Sequence, residues 1–331
     1  MHMADALLSP AVGGALWAAS AAALAWSARR VRSEGDDGKV PLMGVLGAFL
    51  FAVQMINFAI PGTGSSGHLG GGLLLAILLG PAAALLVVAS VLVVQALFFA
   101  DGGLLALGCN IFNLGFLPAF VAYPLVYRPL APASAGPVRQ MLAAIVAAVV
   151  GLQLGAMAVV AETVASGIAA LPLPTFAAFM LPIHLAIGVV EGVVTALIVS
   201  FLRDSRPEVL HPARGGVGWR RRIAAILLVL AVLTGGVLSQ FASGAPDGLE
   251  WSIARVAGHA EAAVPVTATH ATLSALQQTT ALLPDYDFAR EADAPSGARL
   301  GTSVAGLVGG TLTLVVALVL GWVIRRRGPR R

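Results

Sequence analysis

The sequence predicts an all-α integral membrane protein with nine spans, seven in one unit and two in a second, which carries an external polar segment. Three observations point there. Of 331 residues, 58% are hydrophobic and only 11% charged, with a mean hydropathy of +0.89. A soluble domain does not need that balance, and a polytopic membrane protein does. Apolar runs close to the roughly 20 residues that cross a bilayer recur along the chain, divided by glycine, proline and charge. The basic residues sit in short clusters at the ends of those runs, so a pI near 10.0 marks topology and argues against a nucleic-acid partner.

Taken in order, the first span runs from about Pro10 to Ala28 and ends in Arg29, Arg30 and Arg32. The second runs from about Pro41 to Ile60, after Lys39. A glycine-serine loop holding His68 follows. The next apolar stretch is broken by Gly80-Pro81 into a short helix and a full one ending near Ala100. Asp101-Gly102-Gly103 makes a turn. A fifth span reaches Tyr127-Arg128, a sixth runs from about Arg139 to Ser166, and a seventh from about Phe176 to Leu202. Residues 1–205 form the first unit, and 206–222, rich in arginine, a cytoplasmic linker. The second unit, 223–331, has a span ending near Phe241, a polar segment over about 243–298, a ninth span and a basic tail. The 38 glycines suit closely packed membrane helices.

Placing the Arg29–Lys39 loop in the cytoplasm puts all but three of the 20 basic residues (Arg255, Arg290 and Arg299) inside. The N-terminus, the His68 loop and the polar segment then share the external face, and the C-terminus is cytoplasmic. The polar segment carries Asp247, Glu250, Glu261, Asp285, Asp287, Glu291 and Asp293 with His259 and His270. Such a set attracts divalent cations, although a solvated loop is its ordinary reading.

Met1 and His2 carry the most specific chemistry. A large second residue usually protects the initiator methionine from removal. No basic stretch precedes the first apolar run, so this end is expected not to be a cleaved signal. The terminal amine, the His2 amide nitrogen and the His2 imidazole then lie in succession along the backbone. They close a five-membered and a six-membered chelate ring on one ion, and another imidazole, His68, completes a square. Amide nitrogen binds only after losing its proton, which Ni(II) and Cu(II) in tetragonal sites enforce and Co(II) does less readily. A Met-His start alone is commonly a frayed end; its weight comes from the membrane setting.

Polar groups at membrane depth require partners. His184 and Glu191 fall on one face of the seventh span, Glu162 near the outer end of the sixth, and Asn57 near that of the second. Two readings stand together. Asn57, Ser66, His184 and Glu191 stand behind the ligands and orient a ligand histidine or the N-terminal segment, or His184 and Glu191 merely satisfy each other or the backbone. Gly64-Ser65-Ser66-Gly67 also fits the G-x-S-G pattern of intramembrane serine proteases, with His184 as base. A P-loop requires Gly-Lys-Ser/Thr, and the single lysine, Lys39, precedes Val40. Any ATP hydrolysis therefore falls to partner subunits, and neither a catalytic residue nor a resident cofactor is expected. Cys109 stands alone and reads as a small buried hydrophobe.

Four stretches in order, "MHMADALLSP", "MINFAIPGTGSSGHLGGGLLLAILLGP", "FFADGGLLALGCNIFNLG" and "HLAIGVVEGVVTALI", resemble the CbiM/NikM substrate-specific component of energy-coupling factor (ECF) transporters for cobalt and nickel. The likeness covers about residues 1–205. "APDGLEWSIARVAG", with its PDGLE stretch from Pro246 to Glu250, and "LPDYDF" are similar to the small N component, so the chain resembles an M–N fusion. The resemblance implies a seven-helix M unit whose drawn-in N-terminus binds the metal through Met1, His2 and His68. The loop departs from the family pattern around Ser65. "HLAIGVVEG" is closer to the nickel branch than to the cobalt branch, which favours Ni2+ over Co2+ as cargo. It also implies a transmembrane coupling (T) protein and two ATPase (A) subunits, in the inner membrane of a bacterium. The small residues Gly14, Ala18 and Ala22 would contact the coupling protein or pack within the M unit. A stand-alone divalent-metal permease driven by an ion gradient and, more remotely, the serine protease are the rivals.

Overall fold

The computed structural model describes residues 1–331 except 37, 133, 206–216, 259–266, 289–299 and 327–331. Its apolar helices are α1 (Pro10–Glu34), α2 (Lys39–Gln54), α3 (Gly72–Leu79), α4 (Pro81–Phe99), α5 (Leu107–Leu130), α6 (Pro137–Ser166), α7 (Leu173–Ser205) and α8 (Val217–Gly236). Two short helices follow, α9 (Gly248–Ala257) and α10 (Ala268–Thr280), then α11 (Leu300–Arg326). Six of these, α1, α4, α5, α6, α7 and α11, are long and apolar enough to cross a membrane; α2 and the apolar part of α8 are shorter. The protein is a multi-pass membrane protein. Arg206, Arg214, His259, Glu261, Arg290, Glu291, Asp293, Arg299 and Arg327 lie outside the described residues, as do the side chains of Arg220 and Arg221.

Local sequence explains the boundaries. Ser9 caps α1, its side-chain oxygen accepting from the Val12 amide at 3.4 Å, with Pro10 preset at the first helical position. Gly80-Pro81 divides α3 from α4 as expected. In α5 the section Phe112–Tyr127 is wound as a π-helix and holds Pro118 and Pro124 inside it.

The second span was expected to run to Ile60, but α2 stops at Gln54. Phe58–Ile60 is instead strand β1, antiparallel to β2 (Ser65–Gly67), with Phe58 opposite Gly67 and Ile60 opposite Ser65. Pro61 disfavours helix at Ile60, and Gly62 and Gly64 turn the chain with φ of 77° and 76°.

Helix α4 is the centre of the bundle, with 83% of its apolar window buried and α1, α2, α3, α5 and α11 around it. Helices α6 and α7 pair along their length. Their outward side chains, among them Leu142, Val146, Leu185, Val189, Leu197 and Phe201, are exposed and form the apolar belt that lipid would cover. Helices α8 and α11 pack on each other and on α2. They approach closely where Gly235 meets Gly306, and a Cβ on Gly235 would lie 3.1 Å from the Gly306 backbone.

The polar segment departs from its ordinary reading as a solvated loop. Its described parts fold onto the bundle, α9 against α7 and α10 against α4. Asp247 and Glu250 form a reciprocal capping box at the start of α9.

Candidate metal centre

The nine residues before α1 do not fray; they run into the bundle. Met1, Met3, Leu7 and Leu8 are buried. Asn110 of α5 holds the segment at Met3, accepting from its amide at 2.8 Å and donating to its carbonyl at 3.2 Å. Gly103 also donates to that carbonyl, at 2.9 Å, and the Asp5 carboxylate accepts from Ala106 at 2.9 Å. From the far end of the chain, His270 of α10 donates through Nε2 to the carbonyls of Leu8 (2.9 Å) and Asp5 (3.1 Å). Carbonyls only accept, so Nε2 carries the proton and Nδ1 accepts from the Thr267 hydroxyl at 2.7 Å. His270 is thus a clamp on the N-terminal segment.

That clamp delivers the amine to the two expected imidazoles. The Met1 nitrogen stands 3.5 Å from His68 Nε2 and donates to Asp247 Oδ2 at 2.6 Å. His68 Nδ1 donates to the Leu69 carbonyl at 3.3 Å, which leaves the Nε2 lone pair facing the amine. The rings of His2 and His68 stack with centroids 5.0 Å apart. His2 Nδ1 donates to Asp101 Oδ1 at 2.8 Å, and the Tyr286 hydroxyl donates to the other oxygen. Gln277 of α10 donates to the Gly102 carbonyl at 2.7 Å, and Gly102 turns with φ of 76° where a Cβ would sit 3.4 Å from His2 Cβ.

Desolvation, joined by the neighbouring ammonium, lowers the His68 pKa to about 3, so its imidazole is neutral and ready to donate a lone pair. Burial alone would raise the Asp101 pKa, but the His2 ring and the Tyr286 hydroxyl bring it down to about 2. At Asp247 burial is again overcome, by the Met1 ammonium, and the carboxyl is held below its ordinary range. Amine, two imidazoles and two carboxylates therefore sit together with no fixed excess of positive charge, which suits a divalent cation.

One detail differs from a ready chelate. The six-membered ring uses His2 Nδ1, and here Nδ1 is held by Asp101 while Nε2 is buried without a partner. A half-turn about Cβ–Cγ exchanges Nδ1 with Cδ2 and takes Nδ1 off the carboxylate, and transfer of the ring proton to Nε2 then frees the Nδ1 lone pair.

The remaining expected residues separate. Glu191 accepts from the amides of Gly70 (2.7 Å) and Gly71 (3.0 Å), so it fixes the chain just after His68 and does not pair with His184. Ser66 donates to the Ala245 carbonyl at 2.8 Å, and its amide donates to Pro246 at 2.8 Å, which seats the PDGLE stretch. Its hydroxyl makes no hydrogen bond with His184, whose Nδ1 is held by the Met180 carbonyl. Asn57 contributes its carbonyl to the Ser243 amide at 2.7 Å. Glu162 accepts from Asn113 at 2.8 Å. His184 donates through Nδ1 to the Met180 carbonyl at 2.8 Å, and its Nε2 is buried and unpartnered.

The family model for the cobalt uptake substrate-specific transmembrane region, CbiM, matches residues 2–209, and the PDGLE domain matches 221–326. The chain belongs to the CbiM family. In this CbiM-family chain the region is joined to a PDGLE-type N component, as the resemblance implied. A putative fused nickel transport protein of Archaeoglobus fulgidus is 33% identical over 98% of both chains. A fused nickel transport protein of Rhodobacter capsulatus is 30% identical, covering 96% of this chain and 95% of its own. A cobalt transport protein of Geobacter sulfurreducens is 33% identical over 72% of this chain and 71% of its own. A solved transition metal transporter matches with a TM-score of 0.56 at 33% identity, covering 65% of this chain and all of that one.

Sequence reasoning missed Asp101, Asn110, Asp247 and Tyr286 as parts of the CbiM-family centre. All four lie within the stretches that carry the resemblance, so the motif was visible although the role was not.

Proposed function

We propose that this chain captures a transition-metal ion, Ni2+ in preference to Co2+, from outside the cell as the substrate-binding membrane subunit of an ATP-driven ECF transporter. The observation that carries the reading is the convergence of the Met1 amine, His2 and His68 at one half-buried point. The ligands are the Met1 amine, the amide and imidazole of His2, and the imidazole of His68. Four nitrogens in a square suit low-spin Ni(II) and leave hydrated Mg2+ and Ca2+, which prefer oxygen, outside. The near full-length likeness to fused nickel transport proteins supports the choice of metal.

In this reading the seven M spans and two N spans place the N-terminus and α9 and α10 outside, and the C-terminus in the cytoplasm of a bacterium. The coupling protein and two ATPase subunits drive reorientation and release. The face of α1 around Gly14 and Ala18 is exposed and available to the coupling protein.

A Ni(II) titration followed by visible absorption tests the site, comparing the protein with a form whose Met1 amine is acetylated. Acetylation keeps every side chain but removes the amine lone pair that the five-membered ring needs. A square-planar band at one ion per chain that is lost on acetylation is the expected result. Equal bands in both forms would sink the assignment.

A further inference from the structure

Two groups beside the chelate have no part in it, yet both face its cavity. Met1, Gly67, His68, Gly70, His184 and Asp247 contribute to the lining of that small cavity. Asp247 holds the terminal amine at 2.6 Å, so the amine's lone pair is not free for a metal while the pair lasts. His184 is 1% exposed, and its Nδ1 gives its proton to the Met180 carbonyl. Its Nε2 therefore presents a bare lone pair to the cavity, buried and without a donor to satisfy it. Fixing one imidazole nitrogen on a backbone carbonyl is the usual way a protein readies the other for a metal.

The chain places these two groups side by side through Asp247-Gly248. Asp247 caps α9, and Gly248 lets the start of that helix lie on the His184 ring, where a Cβ would stand 3.0 Å from His184 Cε1. Carboxylate oxygen from the N component and imidazole nitrogen from the seventh M-unit span thus meet at one cavity wall.

Resting on the chelate reading above, we propose that Asp247 and His184 form a capture subsite that holds the incoming hydrated metal dication before the four nitrogens close on it. The ion exchanges two of its waters for Asp247 oxygen and His184 Nε2. Asp247, now bonded to the metal, lets go of the ammonium. The ammonium and the His2 amide each lose a proton to water, and the His2 ring, turning from Asp101, passes its proton from Nδ1 to Nε2 by way of water. The lone pairs so freed, with that of His68, displace the remaining waters and then the two capture ligands. The metal keeps its oxidation state throughout. Capture at Asp247 and release of the amine are therefore one event.

Rapid mixing of the purified full-length protein with NiCl2, following growth of the square-planar band, tests this. The parent rate is expected to saturate with Ni(II) concentration, because capture precedes a slower rearrangement. His184→Gln and Asp247→Asn are each expected to raise the half-saturating concentration by about 10- to 100-fold, and in His184→Gln the final band stays intact. Asparagine also caps helices, so α9 keeps its start. With the amine no longer held by a carboxylate, Asp247→Asn reaches a limiting rate at or above that of the parent. Because both groups make one subsite, the double variant is expected to be no worse than the worse single one.

A parent rate that rises linearly without limit overturns the subsite, as does a half-saturation unchanged in His184→Gln. Loss of the final band in His184→Gln, with the parent's melting temperature retained, also overturns it by making His184 a member of the chelate. Absence of the band in the parent refutes the chelate reading itself, which separates the two failures.

Discussion

Asn110→Ala isolates the docking of the N-terminal segment. Asn110 is 2% exposed and is bonded to both backbone groups of Met3, which is fully buried. In the alanine variant the Met3 carbonyl keeps its bond from Gly103 at 2.9 Å, so that loss is small. The Met3 amide has no second acceptor, and a buried N–H left without one costs about 1–3 kcal/mol. That cost falls on the docked state alone, because the undocked segment is solvated. The opening equilibrium of residues 1–9 should shift by roughly 5- to 140-fold, at about 1.4 kcal/mol per factor of ten. Hydrogen exchange reads this directly: protection of the Leu7 and Leu8 amides should fall by that factor while α4 retains parent protection. Protection within twofold of the parent would refute the claim that Asn110 anchors the segment. A matching loss throughout α4 would show instead that Asn110 supports the whole bundle.

Two further outcomes follow from the same geometry. Glu191→Gln offers one carbonyl oxygen where two backbone donors, Gly70 and Gly71, now find carboxylate oxygens, and its amide group faces the other donor. The expected cost is about 1–3 kcal/mol, read as a lower melting temperature and weaker Ni(II) binding with the square-planar band retained; an unchanged melt would contradict the role given to Glu191. The His68 pKa is lowered to about 3 against an ordinary value near 6.5. Between these values the unfolded chain binds a proton that the folded one refuses, so stability falls as pH drops through this window. Asp101, held at about 2, keeps its contribution above its ordinary value near 3.8 and loses it only below. Melting in detergent between pH 7 and 4.5 should therefore decline in the parent and decline less in His68→Gln; parallel curves would count against a neutral His68.

Much of the fold was legible because apolar runs and glycine-proline breaks report directly on helices. The split at Gly80-Pro81 and the ends of α5 and α7 are examples. The hairpin at 58–67 was not, because Phe58-Ala59-Ile60 continues the apolar run of α2 and only Pro61 and the glycines after it oppose a helix. The closeness of Met1 and His2 follows from the backbone, and the structure brings His68 to them as the sequence led one to expect. Asp101 and Asn110 were not legible: each owes its role to a residue about a hundred positions away, and no periodicity records such a pairing. His270 misled in a different way. Beside acidic residues it suggested a cation site, whereas its nitrogens are taken up by Thr267 and two carbonyls.

Those long-range pairings also explain why the two units are more than neighbours. The M region supplies the amine and both imidazoles. The N-component region supplies the carboxylate on the amine (Asp247), the donor on the carboxylate that orients His2 (Tyr286), and the clamp on the N-terminal segment (His270). Gln277 fixes the Gly102 turn from the same side. Each contact is modest alone, but they act on one short segment whose position decides whether the amine and the imidazoles meet. A change in how α9 and α10 sit on the bundle would therefore alter several contacts around the centre together. In this chain the second unit holds the geometry in which Met1, His2 and His68 meet.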